Sequence, residues 1–98
     1  MFDFEKLNKV IHEKSRLAIM SLMATRRVWG FQDLKGELKM SDGNLITHLR
    51  TLEKHGLISS TKAEGNKRGT VYAITESGRM EFESYLAILE QIVNSNKN

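Results

Sequence analysis

The hydrophobic pattern of the chain changes period at Gly56, and this change restricts the fold more than any other feature. Up to that glycine, apolar residues recur every three or four positions, as they do in helices. After it, residues 57–63 and 70–75 form two roughly alternating runs that are rich in β-branched side chains. They are joined by a glycine-bounded basic turn, 64–69, and together they predict a β-hairpin. Helical spacing returns after Thr75. The chain is therefore predicted to be mainly α with a small β-hairpin, an α+β fold.

Two helices are predicted at the start of the chain. The first covers 4–11, and its apolar stripe consists of Phe4, Leu7 and Ile11. The second covers 15–27 with Ser15 as its N-cap, and it is apolar nearly all round, which predicts a place at the centre of the domain. We place Arg26 and Arg27 in its last turn, where the helix dipole favours positive charge.

The segment before Gly56 has the pattern of a helix–turn–helix. It begins with a short strand or tight connection at 28–30, followed by a short helix over 31–39. A turn at 40–43 then leads into a longer helix over 42–55. Ser41 or Asp42 can cap the longer helix at its start, and Gly56 is a typical residue just beyond its end.

The last helix is predicted over 76–94, with Thr75 as its N-cap. Helix–turn–helix followed by a hairpin with a basic tip is the plan of a winged helix–turn–helix, here over 14–75 of a single domain, 1–98. The flanking segments 4–12 and 76–94 are additions to that unit.

Length and composition exclude several classes of protein. The chain has 98 residues, whereas the α/β scaffolds of many enzymes need on the order of 200. It has no cysteine, which excludes disulfides and thiolate metal sites. No apolar run approaches the roughly 20 residues that span a bilayer, and acids occupy the N-terminus where a signal peptide is basic. We expect a cytoplasmic protein.

Charge is divided unevenly along the chain. Residues 1–75 contain 13 Lys and Arg against 8 Asp and Glu, and residues 76–98 contain 2 against 4. A basic body suits a polyanion, and an acidic last helix suits a different contact.

The predicted helix 42–55 has a polar face that can bind nucleic acid. Leu45, Leu49 and Leu52 form its buried stripe. The residues directly opposite are Gly43, Thr47, Arg50 and Lys54, and they are flanked by Asn44, His48 and Thr51. Such side chains read base edges or hold phosphates in the major groove. Any solvated helix also has a polar outer face, so this alternative stays open. The same holds for Lys67 and Arg68 at the hairpin tip, which are either a phosphate contact or merely soluble turn residues.

Four motifs resemble those of small winged-helix transcriptional regulators of the MarR/ArsR-like superfamily in bacteria and archaea. They are W-x-F-x-x-L at 29–34, L-x-x-S-D-G-N-L at 38–45, H-L-x-x-L-E-x-x-G-L-I at 48–58 and Y-x-I-T-x-x-G-R at 72–79. The resemblance covers about residues 14–90 and places this chain in the short branch of that superfamily.

The resemblance implies a homodimeric regulator that binds double-stranded DNA at the nucleoid. Helix 42–55 would be the recognition helix and 64–69 the wing, and a C2 dimer would need a palindromic operator with half-sites about 10 bp apart. We assign Asn44, Thr47 and Arg50 to base or nearby contacts, and Ser41, His48 and Lys54 to phosphates. The wing contacts are Lys67 and Arg68.

In this family the terminal helices form the dimer, so segments 4–12 and 76–94 are the expected interface. The interface residues would be Phe4, Leu7, Ile11, Phe82, Tyr85, Leu86, Leu89, Ile92 and Val93. The alternative is that the last helix packs on its own domain.

No cofactor or metal is expected, because the three histidines are scattered and no cysteine is available. A small-molecule effector is possible but unsupported, since so short a chain leaves little room for a pocket, and Trp29 is more typical of a core residue than of a ligand contact. We expect no enzymatic activity: Asp33 and Glu37 are an ordinary exposed acid pair, and no nucleophile–base arrangement occurs. The competing hypothesis is a winged-helix module that binds another protein within a larger complex.

Overall fold

The computed structural model of the chain describes residues 4–63 and 69–96. These residues form four α-helices and a three-stranded antiparallel sheet, which confirms the predicted fold class. The helices are α1 (Lys14–Met23), α2 (Phe31–Leu38), α3 (Asp42–Lys54) and α4 (Glu76–Ser95), and the strands are β1 (Trp29–Gly30), β2 (Ile58–Lys62) and β3 (Thr70–Ile74).

The sheet has the order β1-β3-β2. In the predicted hairpin, β2 pairs with β3 so that Ile58 lies opposite Ile74. On the other side of β3, Trp29 of β1 lies opposite Tyr72. The short strand after α1 is thus an edge strand that joins the helix–turn–helix to the hairpin.

The N-terminal segment is not the predicted helix over 4–11. It forms a single 3-10 turn at Phe4–Lys6 and then a series of turns. The side-chain oxygen of Asn8 accepts hydrogen bonds from the backbone N–H groups of Val10 and Ile11, at 2.9 and 3.1 Å. Such a local bond competes with helix continuation, which is why apolar spacing alone was misleading here.

Helix α1 begins one residue before the predicted N-cap and ends four residues before the predicted end. Its N-cap is Glu13, whose carboxylate accepts a hydrogen bond from the backbone N–H of Arg16 at 2.9 Å. The helix stops at Met23, so Arg26 is not in its last turn. Instead the guanidinium of Arg26 lies 3.5 Å from the centroid of the Trp29 ring, in a cation–π contact.

The core is formed by apolar residues from every helix. Helix α1 contributes Ile19, Met20 and Met23, all fully buried, so its predicted central place is confirmed. The predicted stripe of α3 is also buried, and the fully buried side chains there are Leu45, Leu49 and Leu52.

The predicted caps of the last two helices are confirmed. Gly56 has a left-handed backbone (φ 72°), which reverses the chain after α3. Thr75 caps α4: its hydroxyl accepts from the N–H of Gly78 at 2.8 Å and donates to the carbonyl oxygen of Gly56 at 2.6 Å. The start of α4 is therefore tied to the end of α3.

Helix α4 makes the molecule elongated. It has 20 residues, and the principal extents are 54, 25 and 21 Å. The radius of gyration is 14.8 Å, against about 13 Å for a compact domain of this length. Across the described ranges, none of the helices is both long and apolar enough to cross a membrane.

Candidate nucleic-acid interface

The turn between α2 and α3 presents α3 at the surface. Lys39 adopts a left-handed conformation (φ 54°), and its N–H donates to the carbonyl of Lys35 at 2.8 Å, which ends α2. Two residues later, the Ser41 hydroxyl accepts from the N–H of Asn44 at 3.2 Å and caps α3. The sequence offered Ser41 or Asp42 as the N-cap of α3, and the structure has Ser41 at this position.

The predicted outer face of α3 is exposed to solvent. The exposed residues on and beside it are Ser41, Gly43, Asn44, Thr47, Arg50 and Lys54. The Thr47 hydroxyl donates to the carbonyl of Gly43 at 2.8 Å, so its oxygen can still accept a hydrogen bond from a ligand. This face offers amide, hydroxyl and cationic groups at consecutive turns, which are the groups that contact base edges and phosphates.

The two acids of α3 both have partners within the chain. A carboxylate oxygen of Asp42 lies 2.8 Å from the Lys35 ammonium of α2. Glu53 accepts from the Ser60 hydroxyl of β2 at 2.7 Å. By helical spacing both acids lie to one side of the outer face. The outer face itself therefore carries no carboxylate.

His48 is not on the open part of this face. Its side chain is 21% exposed, and its Nδ1 atom points to α1, 3.3 Å from a guanidinium nitrogen of Arg16 and 3.7 Å from a carboxylate oxygen of Glu13. Nδ1 of His48 therefore faces side chains of its own chain, and the assignment of His48 to a phosphate stays a prediction. A position next to the leucine stripe turns one edge of the ring toward the neighbouring helix.

Sequence reasoning missed Glu13 and Arg16. Arg16 is largely buried, with 19% of its side chain exposed, and its Nε donates to the carbonyl of Val10 at 2.6 Å. The hydrogen bond from the N–H of Arg16 is the main reason that the pKa of Glu13 is lowered from its ordinary value. An acid just before an apolar helix was the local signal for the cap. The contact with His48 has no local signal, because it joins residues more than 30 positions apart.

The predicted wing contacts Lys67 and Arg68 lie outside the described residues. The strands that lead to them are described: Thr70 of β3 pairs with Lys62 of β2, and both residues are exposed.

The predicted dimer residues divide into two groups. Four of them are core residues of their own chain, each 7% exposed or less, and not accessible interface residues. They are Leu7, Ile11, Phe82 and Tyr85. The N-terminal segment lies along the first half of α4, where Nδ1 of His12 is 2.7 Å from the Tyr85 hydroxyl and the Asn8 amide donates to Glu81 at 3.1 Å. A stripe that is already covered by its own chain has no surface left for a partner.

The other predicted dimer residues remain accessible. Phe4 is 62% exposed. On the second half of α4, Leu86 and Val93 are 44% and 53% exposed, and Leu89 and Ile92 are partly buried. We call the four residues Leu86, Leu89, Ile92 and Val93 the distal stripe of α4.

An open groove of about 800 Å³ lies at the root of the wing, larger than the chain length led us to expect. Its lining includes Arg26, Phe31, Asp33, Ile46 and Val71. The guanidinium of Arg26 is paired with Asp33 at 3.0 Å. Trp29 is a core residue, 5% exposed, as the sequence suggested. Within the described ranges, no cluster of three or more metal-ligating side chains occurs.

Comparison with known proteins gives the same fold. Residues 15–93 match the family model of the winged helix DNA-binding domain. An uncharacterized protein of Methanocaldococcus jannaschii is 32% identical over 85 residues, which cover 86% of this chain and 92% of that protein. A transcriptional regulator homologue from Pyrococcus horikoshii OT3 has a structure that superposes with a TM-score of 0.86 at 29% identity, over 91% of this chain and 89% of that one.

More distant structures show the fold alone. A variant of Lactococcus lactis ZitR in complex with DNA superposes with a TM-score of 0.68 at 19% identity, over 90% of this chain and 60% of that one. ZitR is described as a zinc-responsive MarR family member. The match over residues 15–93, together with these superpositions, places the chain in the family of winged helix DNA-binding domains found in transcriptional regulators, with MarR-family proteins among its structural neighbours.

Proposed function

We propose that the protein is a transcriptional regulator that binds a specific double-stranded DNA sequence as a homodimer. In this proposal α3 enters the major groove and the wing, 64–69, contacts the backbone or the minor groove. Two copies related by a two-fold axis would place their α3 helices in successive major grooves. The operator would then be palindromic, with half-sites about 10 bp apart. The protein would act at the nucleoid, in the cytoplasm.

The observation that carries this proposal is the outer face of α3. Asn44, Thr47 and Arg50 are exposed within two turns of one helix, opposite the buried leucines. We assign these three to base contacts, since Asn and Arg each form paired hydrogen bonds with particular bases. Ser41 and Lys54 flank them at the two ends of α3 and are assigned to phosphates.

The charge distribution supports the same orientation. The outer face of α3 has Arg50 and Lys54 and no free acid, and the wing tip adds Lys67 and Arg68. Helix α4 contains four Glu and a single Arg, Arg79. An acidic α4 is repelled by phosphates, so the basic elements would face the duplex and α4 would lie away from it.

The proposed dimer contact is the distal stripe of α4. Leu86 and Val93 are the most exposed members of this stripe, and it extends beyond the half of α4 that the N-terminal segment covers. Contact with the same stripe of a second copy would remove these side chains from water. An isologous contact of this kind gives the two-fold symmetry that a palindromic operator needs.

The decisive experiment selects bound sequences from a random duplex pool and then titrates the winning duplex with variants. We expect a palindromic consensus. Arg50→Ala should weaken binding to it by about 1–3 kcal/mol, with a smaller loss for random DNA. Arg79→Ala removes an exposed arginine from α4 and is the matched control, with no expected loss. A pool that yields no consensus, with a monomer that ignores duplex DNA at low salt, would favour the protein-binding module instead.

A further inference from the structure

Three ionisable side chains meet where the start of α1 lies beside α3. Nδ1 of His48 lies 3.3 Å from a guanidinium nitrogen of Arg16 and 3.7 Å from a carboxylate oxygen of Glu13. Arg16 and Glu13 are themselves 3.8 Å apart. We call these three residues the α1–α3 cluster. It borders the surface of the proposed DNA contacts, because His48 lies one helical turn after the exposed Asn44 on α3.

The partner of Nδ1 depends on the charge of the ring. A neutral imidazole can accept a hydrogen bond at Nδ1 from the Arg16 guanidinium. A protonated ring carries hydrogen on both nitrogens, so Nδ1 can no longer accept from Arg16, and the charged ring can instead form an ion pair with the Glu13 carboxylate, which lies 3.7 Å away. The lowered pKa of Glu13 keeps this carboxylate charged near neutral pH, and thus available as the partner of an imidazolium.

The opposite ring nitrogen is the atom left for a ligand. Among the described residues, no hydrogen bond engages Nε2 of His48. A carboxylate that holds one nitrogen of a histidine orients the ring and favours its charged form, which then donates from the other nitrogen. The groups facing His48 from α1 are Glu13 and Arg16, and its neighbours one turn away on α3, Asn44 and Thr51, carry no charge.

We propose that His48 binds a DNA phosphate through Nε2 and takes up a proton as the complex forms, with Glu13 as the positioning residue. This inference rests on the proposed DNA-binding function and adds to it a dependence on pH. The phosphate favours the protonated ring, so His48 holds its proton more tightly in the complex than in the free protein. Affinity therefore rises as the pH falls through the neutral range, where histidines ordinarily titrate.

The test is a titration of the selected duplex at constant ionic strength between about pH 8 and pH 6, the range in which an ordinary histidine gains its proton. We expect affinity to rise by about threefold to tenfold for each bound protomer, because each protomer takes up a proton as it binds and proton uptake becomes more favourable as the pH falls. His48→Gln should bind with nearly the same affinity at every pH. The matched control is His55→Gln, at the end of α3, where Nδ1 of His55 contacts the carbonyl of Thr51 in its own helix at 3.0 Å. This control should keep the full pH response.

The variant Glu13→Gln tests whether Glu13 positions the His48 ring or only stabilises the fold. A glutamine keeps a side-chain oxygen that can accept from the N–H of Arg16, so α1 keeps its cap. The melting temperature should fall only slightly, because the charge that lowers the pKa of Glu13 also stabilises the folded state. The pH response should shrink, because the negative partner of the imidazolium is gone. If His48→Gln keeps the same pH response as the wild-type protein while both bind the consensus, the inference is overturned and the proposed function stands. If no variant, including the wild type, prefers the consensus at any pH, the proposed function itself has failed.

Discussion

Gly78 lies directly against the backbone of Leu57, with no room for a side chain. A Cβ atom at Gly78 would lie 2.8 Å from the carbonyl carbon of Leu57 and would overlap its oxygen. That oxygen accepts a hydrogen bond from the N–H of Thr75 at 3.1 Å, so it cannot move away freely. The first turn of α4 therefore packs directly against the backbone that follows α3. This contact is the physical reason for a glycine in the T-x-x-G-R motif.

Replacing Gly78 with alanine should lower the free energy of unfolding by about 1–3 kcal/mol, because the new methyl group forces α4 away from Leu57. Urea denaturation measures this loss. Gly36→Ala is the control: a Cβ at that position of α2 meets no atom within 4 Å. Its expected effect is neutral or stabilising by up to about 1 kcal/mol, since alanine is the better helix former. Equal stability of the two variants would contradict this account of Gly78.

Gly43→Ala should separate stability from DNA binding. Gly43 is in the first turn of α3, and a Cβ there meets no protein atom within 4 Å. The free protein should melt at the same temperature or slightly higher. If the α3 backbone approaches DNA closely at Gly43, the methyl group should weaken binding to the consensus duplex by about 1–3 kcal/mol, measured by fluorescence anisotropy. Undiminished affinity would show that DNA does not approach the backbone at this position.

Leu86→Glu should dissociate the proposed dimer, because it places a charge within the distal stripe of α4. We expect a loss of at least about 2 kcal/mol, or about 30-fold in the dissociation constant of the dimer, measured by sedimentation equilibrium. Met80→Glu is the matched control, since Met80 is 64% exposed and lies by helical spacing on the opposite face of α4. A dimer that tolerates Leu86→Glu but not Met80→Glu would move the interface to the other face.

Both tyrosines should resist ionisation in the folded protein. Burial raises the pKa of Tyr85, and burial, followed by the charge of Glu53, raises the pKa of Tyr72, with Arg50 acting in the opposite direction. Phenolate absorbance at pH 10 should therefore be lower in the native protein than in urea. Folding favours the neutral phenols, so the contribution of the two tyrosines to stability is constant below about pH 10. It falls as the pH rises above that value, by at most about 1.4 kcal/mol per pH unit for each tyrosine. Identical native and denatured titration curves would contradict the burial of both phenols.

Most of the element pattern was predictable because its signals are local. Thr75 caps α4, and Gly56 follows α3 with a left-handed backbone, as the sequence indicated. Ser41, one of the two residues that the sequence offered, caps α3. The alternating runs after Gly56 do pair as β2 and β3. Each of these features depends on a few consecutive residues, so a single sequence contains the information.

Predictions of which surface a given side chain packs against were less successful. The apolar stripe of the N-terminal segment was assigned to a partner chain, whereas Leu7 and Ile11 are buried in their own core. A stripe of hydrophobic residues predicts that this face of the segment is buried, but it does not identify the surface that buries it. The place of His48 was missed for the same reason, because its contacts with Glu13 and Arg16 join segments far apart in the chain.

The sequence by itself determined the order of the four α-helices and the hairpin, the leucine stripe of α3 and the winged-helix plan, since periodicity, caps and turns act over a few residues. Only the tertiary structure decided which half of α4 its own chain covers and which half stays accessible. It likewise decided that Nδ1 of His48 faces Glu13 and Arg16. Both outcomes follow from how distant segments pack, and packing depends on the shapes and charges of whole surfaces rather than on local spacing.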